Sequence, residues 1–139
     1  MSKTSIACIA FKDDKVLIAH RNPTGQMGGR WEFPGGKVED GETEKEALVR
    51  EFSEEFGETV SVGKQIAEAF FIHNNEKVTL HAWTIEVSND GIKKPYILTE
   101  HTEYKWVSLR EIEGLNFVDS DKLIYPQVLE YAKKEGIRI

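Results

Sequence analysis

A single cysteine, Cys8, rules out an internal disulfide, and its neighbours Ile6, Ala7, Ile9 and Ala10 point to a buried strand rather than a reactive thiol. The four histidines, His20, His73, His81 and His101, stand far apart and form no pair at zinc-ligand spacing, so they are read as surface or strand residues. Long apolar runs are missing too. The stretch from Ile6 to Phe11 is too short for a membrane helix and breaks into Lys12, Asp13, Asp14 and Lys15, with no small-residue cleavage site. Basic charge is scarce: 18 Lys and Arg against 24 Asp and Glu leave a net charge of −6, which argues against a grip on nucleic-acid polymers. Cytoplasmic residence without a membrane partner is the expectation. An acidic protein can still bind a small anion through a bridging cation.

The length of 139 residues fits one domain, residues 1–139, with a single sizeable core. Two β-rich runs, Ser5 to Phe11 and Val16 to Arg21, read as a hairpin about Lys12 to Lys15. A loop from Asn22 to Arg30 with Pro23, Gly25, Gly28 and Gly29 leads to a short strand at Trp31-Glu32-Phe33, and Pro34-Gly35-Gly36 reads as a turn. Thr43 with Glu46 forms a capping-box signature, so a helix begins near Glu44 and ends at Gly57. Val60 to His73 and Lys77 to Val87 read as an antiparallel pair about Asn74-Asn75-Glu76. After a polar connector, Asn89 to Leu98, come a strand at Tyr104 to Val107, a second capping box of Ser108 with Glu111, and a helix within Asp119 to Gly136 that tolerates Pro126 only near its start. Strands on both sides of one helix, with another at the end, make an α/β arrangement around a mixed sheet.

The chemistry concentrates between Gly36 and Glu58. At about 100° per residue, Glu51, Glu54 and Glu55 share one side of the helix, and Leu48, Val49, Phe52 and Phe56 form an adjoining apolar arc. Three crowded carboxylates repel one another and call for a positive partner. Magnesium suits them, with manganese as a substitute, because hard divalent ions take oxygen ligands and bridge to phosphate oxygens. A solvated acidic helix face is the plainer account of E-x-x-E-E taken alone.

The span reads G-x5-E-x7-R-E-U-x-E-E-x-G-U, with U a bulky hydrophobic residue, through Gly36, Glu42, Arg50, Glu51, Glu54, Glu55 and Gly57. On these residues the chain resembles the Nudix family of pyrophosphohydrolases, departing only at Glu58. The resemblance implies an α/β/α sandwich with a loop, helix, loop motif. It implies that Glu51, Glu54, Glu55 and the Gly36 carbonyl hold metal, with Glu42 and Arg50 in support, Arg50 orienting a carboxylate through a bidentate fork and keeping its pKa low. The general base stays open between Glu51 and a later loop residue, Glu100, with Glu103 competing.

Trp31-Glu32-Phe33-Pro34-Gly35-Gly36-Lys37, His81-Ala82-Trp83 and Trp106-Val107-Ser108-Leu109 extend the resemblance to the MutT-type branch. That branch implies hydrolysis of a nucleoside triphosphate, an oxidised purine such as 8-oxo-dGTP or a cytidine nucleotide, to monophosphate and pyrophosphate. Another nucleoside diphosphate derivative, or ligand sensing without turnover, is the alternative. Asp121 is the candidate for base recognition, against helix capping by Ser120 or Asp121. Trp31, Phe33, Trp83 and Phe117 are candidates for stacking on a base, although aromatic strand residues are commonly core. Arg21, Arg30 and Lys37 are candidate phosphate contacts. Glu58 is either a helix-end charge or a further approach to the metal cluster, with Val60 filling the apolar place it vacates. The chain is expected as a monomer or homodimer.

Overall fold

A computed structural model of the chain describes residues 3–23 and 28–139, so Gly25 of the expected glycine-containing loop lies outside the described residues. The chain opens with β1 (Lys3–Lys12) and β2 (Lys15–Arg21), joined through Asp13 and Asp14, both at positive φ, as a two-residue hairpin turn needs. Asn74 and Asn75 adopt the same conformation between β5 (Val60–His73) and β6 (Glu76–Val87). Between these hairpins lie β3 (Trp31–Glu32), β4 (Gly35–Lys37) and α1 (Glu44–Phe56). β7 (His101–Val107), α2 (Leu109–Ile112) and α3 (Asp119–Lys134) complete the chain.

The sheet runs β3-β2-β1-β6-β5, with β4 added to β1 and β7 to β2. β1 and β6 are parallel and the other pairings antiparallel, so the sheet is mixed. Side-chain alternation splits β1 between two cores: Ile6, Cys8 and Ala10 pack with Ala47, Leu48, Phe52 and Phe56 of α1, while Ala7 and Ile9 pack with Ile124, Val128 and Ala132 of α3. A helix therefore covers each face, giving the α/β/α order.

Three local expectations are corrected. Gly35 to Lys37 form a strand rather than a turn, because Gly35 lies so close to β1 that a side chain there would overlap the Ile6 carbonyl. Ser108 makes no side-chain cap; its carbonyl accepts from Glu111 N–H at 3.1 Å, and α2 lasts one turn. Pro126 sits inside α3, not near its start. Pro126 and Lys122 are both exposed, so water can serve the carbonyl that the missing N–H abandons, while Ile124 and Val128 anchor the helix. Among the described residues no helix is long and apolar enough to cross a membrane.

Candidate active site

Helix α1 begins at a complete capping box: Glu46 N–H donates to Thr43 Oγ1 at 3.1 Å, and Thr43 N–H donates to Glu46 Oε1 at 2.9 Å. Gly57, at φ 72°, closes it in a left-handed cap. On this fixed rod Arg50 faces a ring of oxygens. Its Nε and Nη2 fork onto Glu42 at 2.7 and 2.9 Å, Nη2 also donates to the Lys37 carbonyl at 2.9 Å, and Nη1 reaches Glu51 at 2.9 Å and Glu54 at 3.2 Å. Glu39 adds an ion pair at 3.2 Å. The fork goes to Glu42 rather than to a helix carboxylate. The Arg50 hydrogen bonds hold Glu42 down at a pKa of about 2.

The three helix carboxylates grade from water into the core. The Glu54 side chain is 57% exposed, Glu51 13% and Glu55 1%. Burial pushes Glu51 upward against the pull of Arg50, and burial lifts Glu55 well above the usual range, the nearby Glu51, Glu32 and Glu100 charges adding to it. Among the described residues, neither Glu55 oxygen has a hydrogen-bond donor. A proton shared with Glu51, or a cation, is needed to hold them there. Gly36 leaves the necessary space: a Cβ at that position would lie 2.5 Å from Glu51 Oε2. Buried carboxylate oxygens without donors, beside a glycine that a side chain would close, fit a hard divalent cation held by Glu51, Glu54, Glu55 and Gly36.

Behind Glu55, β3 and β7 deliver Glu32 and His101. His101 Nε2 lies 2.8 Å from Glu32 Oε2 and 3.8 Å from Glu55 Oε1, and Arg21 Nη1 donates to both Glu32 oxygens at 3.1 and 3.2 Å. Phe56 stacks on the His101 ring at 5.5 Å. Glu32 and His101 were not legible as site residues, since nothing in their spacing ties them to the helix; the Glu-His pair at residues 100 and 101 was the available signal. Glu100 itself is exposed, on the loop just before β7 and close enough to raise Glu55.

The model of the NUDIX domain matches residues 1–128. The chain belongs to the NUDIX family. It is 35% identical to the CTP pyrophosphohydrolase of Escherichia coli over 106 residues, covering 76% of each chain. It is 34% identical to the 8-oxo-dGTP diphosphatase of Escherichia coli over 88 residues, 62% of this chain and 68% of that one. The structure of a MutT protein from Methanosarcina mazei superposes with a TM-score of 0.77 at 27% identity, covering 99% of this chain and 96% of the other. This NUDIX domain is thus a nucleotide pyrophosphohydrolase of MutT-type kinship.

Within the NUDIX frame the other expected residues fall in several places. Asp121, in the first turn of α3, is buried, and its Oδ2 accepts from Phe33 N–H at 2.9 Å; burial and then Glu32 push its pKa up to about 8. It does not serve as the cap, since the N-cap is Val118. Phe33 and Phe117 are corrected from stacking surfaces to core: they are 2% and 1% exposed and pack edge to face at 5.2 Å, so neither ring is open to a base. Trp83 spends its indole N–H on Glu44 at 2.9 Å, and Trp31 lies under Lys105. Arg21 is committed to Glu32, and Arg30 pairs with Asp119 at 3.2 Å. Lys37 is exposed beside Gly36. Glu58 pairs with Lys94 at 3.5 Å, and Val60 packs against the α1 core.

Proposed function

We propose that this chain hydrolyses a nucleoside triphosphate to the monophosphate and pyrophosphate with magnesium, or manganese in its place, acting as a single domain over residues 1–139. The substrate class is an oxidised purine nucleotide such as 8-oxo-dGTP or a cytidine nucleotide, in keeping with the names of its E. coli relatives. The observation that carries the reading is the pairing of buried, donor-free Glu55 with Glu51 on a helix locked by Arg50. When bound at Glu51, Glu54, Glu55 and the Gly36 carbonyl, a divalent cation supplies charge neutralisation for the diphosphate and acidifies water.

The chain's own residues then divide the work. Arg50 fixes Glu51 and Glu54 relative to one another, which removes the entropic cost of ordering them at each turnover. Either Glu51 or Glu100 accepts the proton of the attacking water. Exposed Lys37, next to Gly36, meets the polyphosphate, with Arg21 and Arg30 available at the rim if they leave their carboxylates. Asp121, high in pKa, discriminates among bases by donating or accepting at the base edge.

A nucleotide panel with magnesium, resolving pyrophosphate from orthophosphate, tests this on wild type, Glu54→Gln and Asp121→Ala. Glu54→Gln is expected to abolish turnover and Asp121→Ala to erode base preference. Equal activity of wild type and Glu54→Gln defeats the mechanism; orthophosphate as the sole product defeats the reaction assigned.

A further inference from the structure

Glu32, Glu55 and His101 each offer one atom to a space in which all three ligand atoms lie within 4.8 Å of one another. They come from β3, α1 and β7, so the sheet and the helix must both be folded before the three meet. We propose that this trio is a mixed carboxylate and imidazole cation site that continues the helix carboxylate cluster inward. Its occupant is a first-row divalent ion that accepts nitrogen, such as manganese, cobalt, iron or zinc, in preference to magnesium.

The chemistry supports that assignment in three ways. First, Glu55 is 1% exposed, both its oxygens lack a donor among the described residues, and it faces Glu32 and His101 as well as Glu51. Burying a carboxylate without a partner is strongly unfavourable unless a proton or a cation meets it. Second, an imidazole nitrogen stands 3.8 Å from Glu55 and 2.8 Å from Glu32, so small side-chain movements bring all three atoms to one ion. Oxygen-only ligands suit magnesium, whereas an imidazole shifts preference toward the transition ions. Third, Arg21 grips both oxygens of Glu32, the kind of outer contact that fixes ligand orientation, and Phe56 stacks on the His101 ring, whose Nδ1 has no partner among the described residues. The carboxylates of Glu32, Glu51, Glu55 and Glu100 crowd the same region against two guanidiniums, Arg21 on Glu32 and Arg50 on Glu51, leaving negative charge for a divalent ion to offset.

The inference rests on the hydrolase reading, because Glu55 would be shared between the helix cluster and this trio. Its consequence is that metal identity, through His101, becomes a variable that the helix motif alone does not encode.

Pulsed EPR of the protein with Mn2+, from below one equivalent to saturation, decides it. Wild type is expected to show nitrogen-14 modulation from one imidazole, and His101→Gln to lose it. Co2+ affinity is expected to fall about tenfold or more in His101→Gln and in Glu32→Gln, while Mg2+ affinity changes by less than about threefold. Absence of nitrogen modulation in saturated wild type overturns the proposal, whether or not the variants fold. So does its persistence in folded His101→Gln, which assigns the nitrogen to another group. Turnover with magnesium by a wild type that shows no nitrogen coupling sinks this site and leaves the hydrolase standing; nitrogen coupling without turnover on the nucleotide panel does the reverse.

Discussion

Arg50 grips Glu42 across eight positions of sequence, Nε to Oε2 at 2.7 Å and Nη2 to Oε1 at 2.9 Å, and so ties the loop before α1 to the middle of the helix. The same guanidinium then has one nitrogen left for Glu51 and Glu54. The loop and the helix carboxylates therefore move as one body.

Replacing that fork with a point charge should loosen both. Arg50→Lys keeps the charge but loses the planar geometry, and a drop in kcat of about 10- to 100-fold is expected in steady-state assays. Glu42 adds a pH signature. Its folded pKa, about 2, is depressed from 4.5, so its stabilisation is present above the unfolded value and is lost as pH falls through the folded one. Urea unfolding from pH 6 to pH 2 should show a steeper loss in wild type than in Glu42→Gln; parallel curves would count against the fork.

Adjacent glycines should fail in different ways. Gly36→Ala places a methyl against the Glu51 carboxylate, a side chain able to swing aside, so the protein folds but kcat falls on the order of 10²-fold. Gly35→Ala meets the Ile6 carbonyl of β1, which cannot move without breaking the pairing. Melting temperature and kcat measured on both variants should separate them; a Gly36→Ala enzyme with unchanged kcat would show that Glu51 placement is not critical.

Glu55 should trade stability for activity. Its folded pKa is raised, so ionising it at neutral pH opposes folding of the metal-free protein, and that penalty grows as pH rises above the ordinary value of 4.5. Glu55→Gln removes the buried charge. Metal-free unfolding at pH 8 is expected to show a variant more stable than wild type, together with loss of turnover. A destabilised variant would mean that the carboxylate already has a partner in the metal-free state.

His81 should act oppositely on the pH axis. Burial disfavours its charge, but Glu44 at 2.8 Å and Glu68 at 2.7 Å outweigh burial and raise its pKa. The stabilisation is thus present below the ordinary value of 6.5 and is lost as pH climbs through the raised one. Urea unfolding of wild type and His81→Gln at pH 6 and pH 9 is the check, with the larger gap expected at pH 6. An equal gap at both would assign His81 a packing role only.

The helix cluster was legible from the chain alone because its residues are bound by local geometry. Thr43, Glu46 and Gly57 announce both ends of α1, and helical spacing places Glu51, Glu54 and Glu55 on one side without help from anything distant. The hairpins about Asp13-Asp14 and Asn74-Asn75 were legible for the same reason, since those residue types tolerate the left-handed backbone their turns require. What only tertiary structure decided is which distant residues share that helix's surroundings. Glu32, His101 and Asp121 lie on three other elements: β2 pairing with both β3 and β7 brings Glu32 to His101, and the Phe33 N–H bond to Asp121 brings in α3. Phe33 and Phe117 were ambiguous until packing buried them, because an aromatic ring that commonly fills a core can also stack on a base. Periodicity reports the direction in which a side chain points along its own element; it carries no information about what another element places opposite.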